Sequence, residues 1–275
     1  MKHQIGILHK KLEVFIIPLS EGIFRKILKP IKLYKPLKYF LLKLKHLTLD
    51  IPNIQLNFFS QFLKDNDLCF DIGAWEGEYT EMFLKLGARV VAVEPQKDCI
   101  EKLYFLFSKN NNVKIVGKAM GNRIGWDKIA ICETQGQSQK ATLSTRFRTE
   151  TRHAKMCEWN KMQDVLVTTL DSLIYHYGIP KFCKIDVEGY EDFVLQGLSQ
   201  PIPFISFEFQ KELLDLVEKC CNYLSMIGDV EFNCTVNPIQ TKFLFPKWIN
   251  AEKLYKELNS RNDTLLGGDI YVRFV

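Results

Sequence analysis

The stretch Asp67-Leu-Cys-Phe-Asp-Ile-Gly-Ala-Trp-Glu-Gly-Glu-Tyr-Thr80 constrains this chain more than any other. Leu68, Cys69, Phe70 and Ile72 form a run too short for a helix and apolar enough for a central parallel strand covered on both faces. Gly73 and Gly77 then permit a sharp turn in which a ligand meets backbone without a Cβ. Behind them Tyr79, Met82, Phe83 and Leu86 recur at helical spacing, and Gly87 stops the helix. Val90-Val-Ala-Val93 reads as the next strand and ends in Glu94. The result is a β-α-β unit with an acid at each strand tip, Asp71 and Glu94, about 20 residues apart.

Such a unit binds a nucleoside-bearing cofactor, because an acid at the second strand tip accepts hydrogen bonds from ribose hydroxyls. The glycines follow G-x-x-x-G and not the dinucleotide pattern G-x-G-x-x-G, and Asp71, Glu76 and Glu78 would repel a pyrophosphate. A cofactor with no phosphate and a cationic centre suits the turn better, and S-adenosylmethionine answers that description.

The formal charge of +5 is unevenly spread. Residues 1–46 hold eleven Lys or Arg against Glu13 and Glu21, a balance of +9 that leaves −4 for the rest. An acidic body without a basic, aromatic-lined face argues against nucleic acid. Val14-Phe-Ile-Ile17 is broken by Pro18, far short of a membrane span, and the lysines run through the region where a secretory signal needs its apolar core. Leu33, Leu37, Phe40, Leu41 and Leu44 fall at helical spacing among lysines, which suits a helical cap on the domain, or contact with an anionic membrane surface or an acidic partner. The expected division is a basic, helical N-terminal extension over 1–60 and a catalytic domain over 61–275. The eight cysteines contain no C-x-x-C pair and read as buried small hydrophobes in a reduced compartment, which favours the cytoplasm, at the membrane's inner face if the extension binds there.

A helix is expected from about Asp98 to Phe107 and a third strand over Val113–Val116. Ala119 and Met120, just past that strand, are candidates to border the adenine base. An insert over about 121–169 departs from α/β alternation. Strands over Ile129–Cys132 and Val165–Thr168 flank a charged loop, Gln135 to Asp164, with Arg146, Arg148, Arg152 and His153, which is either a functional lid or solvated surface. A helix from Asp171 to Tyr177 leads to a strand, Phe182–Ile185, whose tip carries Asp186 and Glu188. A helix over Glu191–Leu198 precedes another strand, Phe204–Phe207, with Glu208 at its end, and Gly267–Phe274 reads as the last strand. Ligands of open α/β sheets lie at the carboxyl ends of the strands, so these acids reach the crevice of Asp71 and Glu94.

Asp71-Ile-Gly-Ala-x-x-Gly with Tyr79-Thr80, Val93-Glu94-Pro95, Thr169-Leu-Asp171, Lys184-Ile-Asp-Val-Glu-Gly-x-Glu191 and Val194-Leu-x-Gly197 resemble, in order, the motifs of the FkbM family of S-adenosylmethionine-dependent methyltransferases. The resemblance spans roughly Asp67 to Glu208. It implies a Rossmann-like class I fold, a seven-stranded, mostly parallel sheet with helices on both faces, and methyl transfer to a hydroxyl, commonly on a sugar or polyketide. The expected cofactor residues are then Asp71, Gly73, Ala74, Gly77, Thr80, Glu94, Ala119, Met120 and Asp186. One position departs: the family usually has Asn where this chain has Trp75.

A hydroxyl is a poor nucleophile until its proton leaves, so a general base is worth about 10²- to 10⁴-fold. Asp186 and Glu188 are the catalytic candidates, with His153 as a base carried by the insert. Glu191 reads as structural, at a helix N-terminus. The strand tips also resemble catechol O-methyltransferase, by which analogy Asp186 and Glu208 are candidate ligands of a divalent metal ion. The expected acceptor is a carbohydrate or small-molecule hydroxyl, above all a sugar of a glycan or glycolipid precursor. The alternatives are a small metabolite, a polyketide, a protein side chain, or a non-catalytic, membrane-associated assembly module.

Overall fold

The computed structural model describes residues 37, 41–44, 51, 53–134, 140–236 and 242–275. The chain divides into two compact units, Met1–Ile51 and Pro52–Val275. Most of the basic extension, with Leu33 and Phe40, lies outside the described residues, as does the start of the charged loop at Gln135. Among the described residues no helix is long and apolar enough to cross a membrane.

The second unit opens with α1 (Asn53–Phe59), followed by β1 (Leu68–Ile72), α2 (Glu78–Lys85), β2 (Arg89–Val93), α3 (Lys97–Phe107) and β3 (Val113–Val116). The insert supplies β4 (Ala119–Met120), β5 (Gly125–Ile131), β6 (Ala141–Thr142), α4 (Thr145–Glu150), α5 (His153–Met156) and β7 (Lys161–Thr168). Then come α6 (Leu170–Tyr177), β8 (Phe182–Ile185), α7 (Glu191–Leu195), β9 (Phe204–Gln210), a 3-10 turn (Lys211–Leu213), α8 (Leu214–Ile227), β10 (Val230–Thr235), α9 (Ala251–Ser260) and β11 (Gly267–Phe274). The main sheet has seven strands in the order β10-β11-β9-β8-β1-β2-β3. Only β11 runs antiparallel, between β9 and β10. Chain order reverses between β1 and β8, which pair in parallel, and this switch point opens a crevice above their carboxyl ends.

Burial explains the apolar runs. Cys69, Phe70 and Ile72 of β1 and Phe182, Cys183 and Ile185 of β8 are completely buried, as strands covered on both faces must be. Helix α1 belongs to the second compact unit, which begins at Pro52. The reason is aromatic packing. Phe59 meets Phe83 and Phe182 edge-on, and Phe62 stacks on Phe182 at 5.1 Å and on Tyr271 at 5.4 Å. Residues that look like the end of a basic tail thus close the bottom of the sheet.

The insert folds into a second sheet, β4-β7-β5-β6. Strands β5 and β7 are longer than the sequence suggests because their outer ends are exposed and polar, with Lys128 facing Asp164. Two arginines pin the helices between them to the body. Arg146 grips Asp215 with two hydrogen bonds of 2.6 and 3.1 Å, and Arg152 binds Glu212 at 2.8 Å. All eight cysteines are buried and free, and burial pushes the thiols of Cys69, Cys99, Cys183, Cys220, Cys221 and Cys234 upward.

Candidate active site

The turn after β1 shapes one half of the crevice. Gly73 adopts φ +82°, and a Cβ there would lie 1.8 Å from the Asp186 carbonyl oxygen, so only glycine lets the β1 turn rest on the β8 tip. The N–H groups of Gly73 and Ala74 both donate to the Val93 carbonyl, at 2.9 and 3.0 Å. Gly77, at φ +89°, starts α2 against the Phe107 ring, which a Cβ would meet at 2.5 Å. Trp75 also has a left-handed backbone, φ +45°. Asparagine takes that conformation readily and tryptophan does not. The Trp75 turn nonetheless does its work through the backbone: its N–H donates to Glu94 Oε2 at 2.9 Å.

Glu94 is 2% exposed, and its other oxygen, Oε1, accepts from Gln96 N–H at 2.8 Å. The Gln96 side chain also hydrogen-bonds this carboxylate, whose remaining lone-pair capacity is available to a ligand hydroxyl. Burial pushes its pKa up to about 7, against the pull of these two backbone donors. Asp71 lies deeper. Thr80 Oγ1 donates to Asp71 Oδ2 at 2.5 Å, tying α2 to β1, and burial raises the Asp71 pKa to about 6.

A cavity of about 220 Å³ joins this turn to the β8 tip and the insert. Of the expected cofactor residues, Gly73, Ala74, Glu94, Ala119, Met120 and Asp186 line it. Asp71, Gly77 and Thr80 do not line it and instead brace the turn from below. Of the three acids that argue against a pyrophosphate, only Glu78 is at the wall, since Glu76 pairs with Lys102 and Asp71 is beneath. Ile129 and Leu143 of the insert add apolar wall beside Ala119 and Met120.

The other half gathers charge. Asp186 and Glu188 both line the cavity. Glu188 sits at φ +56° and pairs with Lys140 at 2.5 Å, and Thr142 Oγ1 donates to its backbone carbonyl at 2.7 Å. Its Oε2 is buried without a hydrogen-bond partner. Burial and the nearby Asp186 charge raise the Glu188 pKa, while Lys140 opposes the rise. Lys140 is itself held protonated, because Glu188, Glu208 and Asp186 outweigh its desolvation. Glu191 is 3% exposed and braces the same loop by accepting from Val187 and Gly189 N–H, both at 3.2 Å, with burial raising its pKa to about 8.

Glu208 lines a smaller void beside Glu191 and not the main cavity. Among the described residues no three His, Cys, Asp or Glu side chains form a metal-binding group, and Asp186 is instead paired with Lys184 at 3.2 Å. His153 stacks on Phe147 at 5.1 Å, away from the cavity lining, and burial lowers its pKa to about 4. The remaining motifs are scaffold. Thr169 caps α6, Asp171 Oδ1 accepts from Ser199 N–H at 2.9 Å, and a Cβ on Gly197 would lie 2.4 Å from the Gly121 carbonyl oxygen. Lys140 and Thr142 are absent from the sequence reading, because nothing in a charged loop marks which residue folds back onto the strand tip.

The site fits S-adenosylmethionine on its own geometry: a glycine turn at the cavity wall, a two-oxygen acceptor at Glu94, an apolar wall at Ala119 and Met120, and the acids Glu78, Asp186 and Glu188 on the lining, of the sign a cationic centre needs. The chain aligns with the precorrin-6y C5,15-methyltransferase of Geobacter metallireducens GS-15 at 12% identity and a TM-score of 0.41, over 81% of this chain and 87% of that one. It aligns with an rRNA methylase of Streptococcus thermophilus at 10% identity and 0.40, over 83% and 99%. With the plantazolicin methyltransferase BpumL in complex with SAH the values are 12% and 0.40, over 99% and 100%. A search of curated protein sequences finds no match. The model of the methyltransferase FkbM domain matches residues 71–225, from the acid of the first strand into helix α8, so the chain belongs to the FkbM family of S-adenosylmethionine-dependent methyltransferases.

Proposed function

We propose that the protein moves the methyl group of S-adenosylmethionine onto a hydroxyl, and that the acceptor is a sugar of a glycan or glycolipid precursor. The observation that carries the hydroxyl reading is the pair Asp186 and Glu188 on the cavity that Glu94 also lines. When bound, the cofactor supplies an electrophilic methyl group on a sulfonium. The chain's own residues do the rest. Glu94 accepts from ribose hydroxyls, Gly73 lets the cofactor turn close onto the β8 tip, and Ala119 and Met120 border the base. Glu188 presents Oε2, an acceptor without a partner, while Lys140 holds Oε1 and opposes the rise in the carboxyl's proton affinity. A carboxylate of raised proton affinity suits a base that takes a hydroxyl proton as the oxygen–methyl bond forms. Asp186 stands beside it as the second candidate base.

Incubation with methyl-labelled cofactor and parallel panels of sugar nucleotides, lipid-linked saccharides, phenols and peptides tests this. Label on a sugar hydroxyl, reduced about 100-fold or more in Glu188→Gln, is the expected result. Label confined to phenols or peptides replaces the acceptor class. A folded protein that binds cofactor and labels nothing replaces the enzyme reading with an assembly role. The charge of +9 over residues 1–46 further supports peripheral contact with an anionic membrane, as a part separate from the catalytic body. Unchanged sedimentation with anionic liposomes after deletion of 1–46 removes that contact.

A further inference from the structure

Lys184 is 1% exposed, on β8 two residues before Asp186. An ammonium in such a place is tolerated only when paired. Its Nζ lies 3.0 Å from Asp269 Oδ1 on β11 and 3.2 Å from Asp186 Oδ2, and 5.2 Å from the centre of the Tyr79 ring at the start of α2. The two ends of this bridge differ. Asp269 is 2% exposed, whereas the Asp186 side chain is 34% exposed and, like Tyr79, lines the cavity. A pair serving stability alone would be closed at both ends. Here a buried cation is cancelled by a buried anion, and the remaining negative charge is presented at the cavity wall.

We propose that Lys184 is a positioning residue, anchored by Asp269, which fixes the Asp186 carboxylate towards the cationic cofactor. The proposal rests on the reading of Asp186 as a cofactor-facing acid. S-adenosylmethionine carries a sulfonium and an ammonium against one carboxylate, so a fixed acid attracts it. An acid already held in place loses less side-chain freedom on binding than a free one. Lys184 alone would repel the ligand, and Asp269 removes that repulsion.

Calorimetric titration of the full chain with S-adenosylmethionine, beside thermal melts, tests the assignment. Lys184→Met strands the Asp269 charge and is expected to lower the melting temperature. Lys184→Met with Asp269→Asn removes one charge of each sign, so the net charge is unchanged and the fold recovers. The proposal predicts that this double variant melts near the wild type yet binds cofactor about tenfold more weakly. Asp186→Asn weakens binding to a similar degree, and adding it to the double variant costs nothing further. A double variant that binds like wild type while Asp186→Asn is weak overturns the role of Lys184. One that stays as unstable as Lys184→Met assigns Lys184 to folding and overturns it equally. Wild-type affinity in Asp186→Asn instead overturns the reading of Asp186 and, with it, the proposal.

Discussion

The two halves of the cavity are built in opposite ways. On the β1–β2 side the polar atoms are satisfied locally: both Glu94 oxygens bind backbone N–H groups, and Gly73, lacking a Cβ, lets the turn rest on the β8 tip. On the β8 side charge is gathered from distant segments. Lys140 and Glu188 are 48 residues apart, the Glu188 backbone is left-handed, and one of its oxygens has no partner. In the proposed reading the first half holds the cofactor, and in the second Asp186 faces the cofactor while the Lys140–Glu188 pair supplies proton affinity for chemistry. Binding and turnover should therefore be separable by mutation.

Gly73→Ala should have the largest effect. The new Cβ meets a backbone carbonyl at 1.8 Å in a left-handed turn, so the β1 and β8 tips must part. Cofactor binding should be lost by calorimetry, with a lower melting temperature. Glu94→Gln comes next. Loss of a charge-assisted hydrogen bond, worth about 1.5–3 kcal/mol, should weaken S-adenosylmethionine about 10- to 100-fold without lowering the melting temperature, because the buried charge is removed as well.

The same residue gives the pH dependence. The ionised carboxylate is the form that accepts ribose hydroxyls, so affinity should fall as pH drops below about 7, and Glu94→Gln should flatten the profile. For stability the sign is opposite. The folded-state pKa is raised above the usual 4.5, so burial of Glu94 destabilises little below that pH and fully above about 7. Lys140→Met should break the symmetry of the two halves: cofactor affinity within about twofold of wild type, but methyl transfer down about tenfold or more. Equal losses in both would erase the distinction between halves. Arg146→Ala, at a pair that is 38% and 45% exposed, should cost under about 1 kcal/mol in a denaturant melt and leave both halves intact.

Legibility in the sequence follows the same division. The β1 turn, Glu94 and the strands at 113–116, 182–185 and 267–274 rest on neighbours in sequence, and apolar runs with glycines announce them. Strand β10 and helix α9 lack an apolar run closed by glycine. Val230–Thr235 mixes polar and apolar residues because Asn233 is buried with its amide bound to Phe245, and the strand's free edge is closed by Ile249 pairing with Phe232. Thr169, Asp171 and Gly197 are visible as motif residues, but only the packing of Gly197 on Gly121 and the Asp171–Ser199 bond assign them to scaffold. Lys140 reaches Glu188 through tertiary structure alone.

The central claim is that the glycine turn and Glu94 form the cofactor half. Calorimetric titration of the full chain with S-adenosylmethionine at pH 8, wild type against Glu94→Gln, addresses it most directly. The account predicts saturable one-site binding by the wild type and at least about tenfold weaker binding by a variant with an unchanged melting temperature. Equal affinities in the two folded proteins would contradict it.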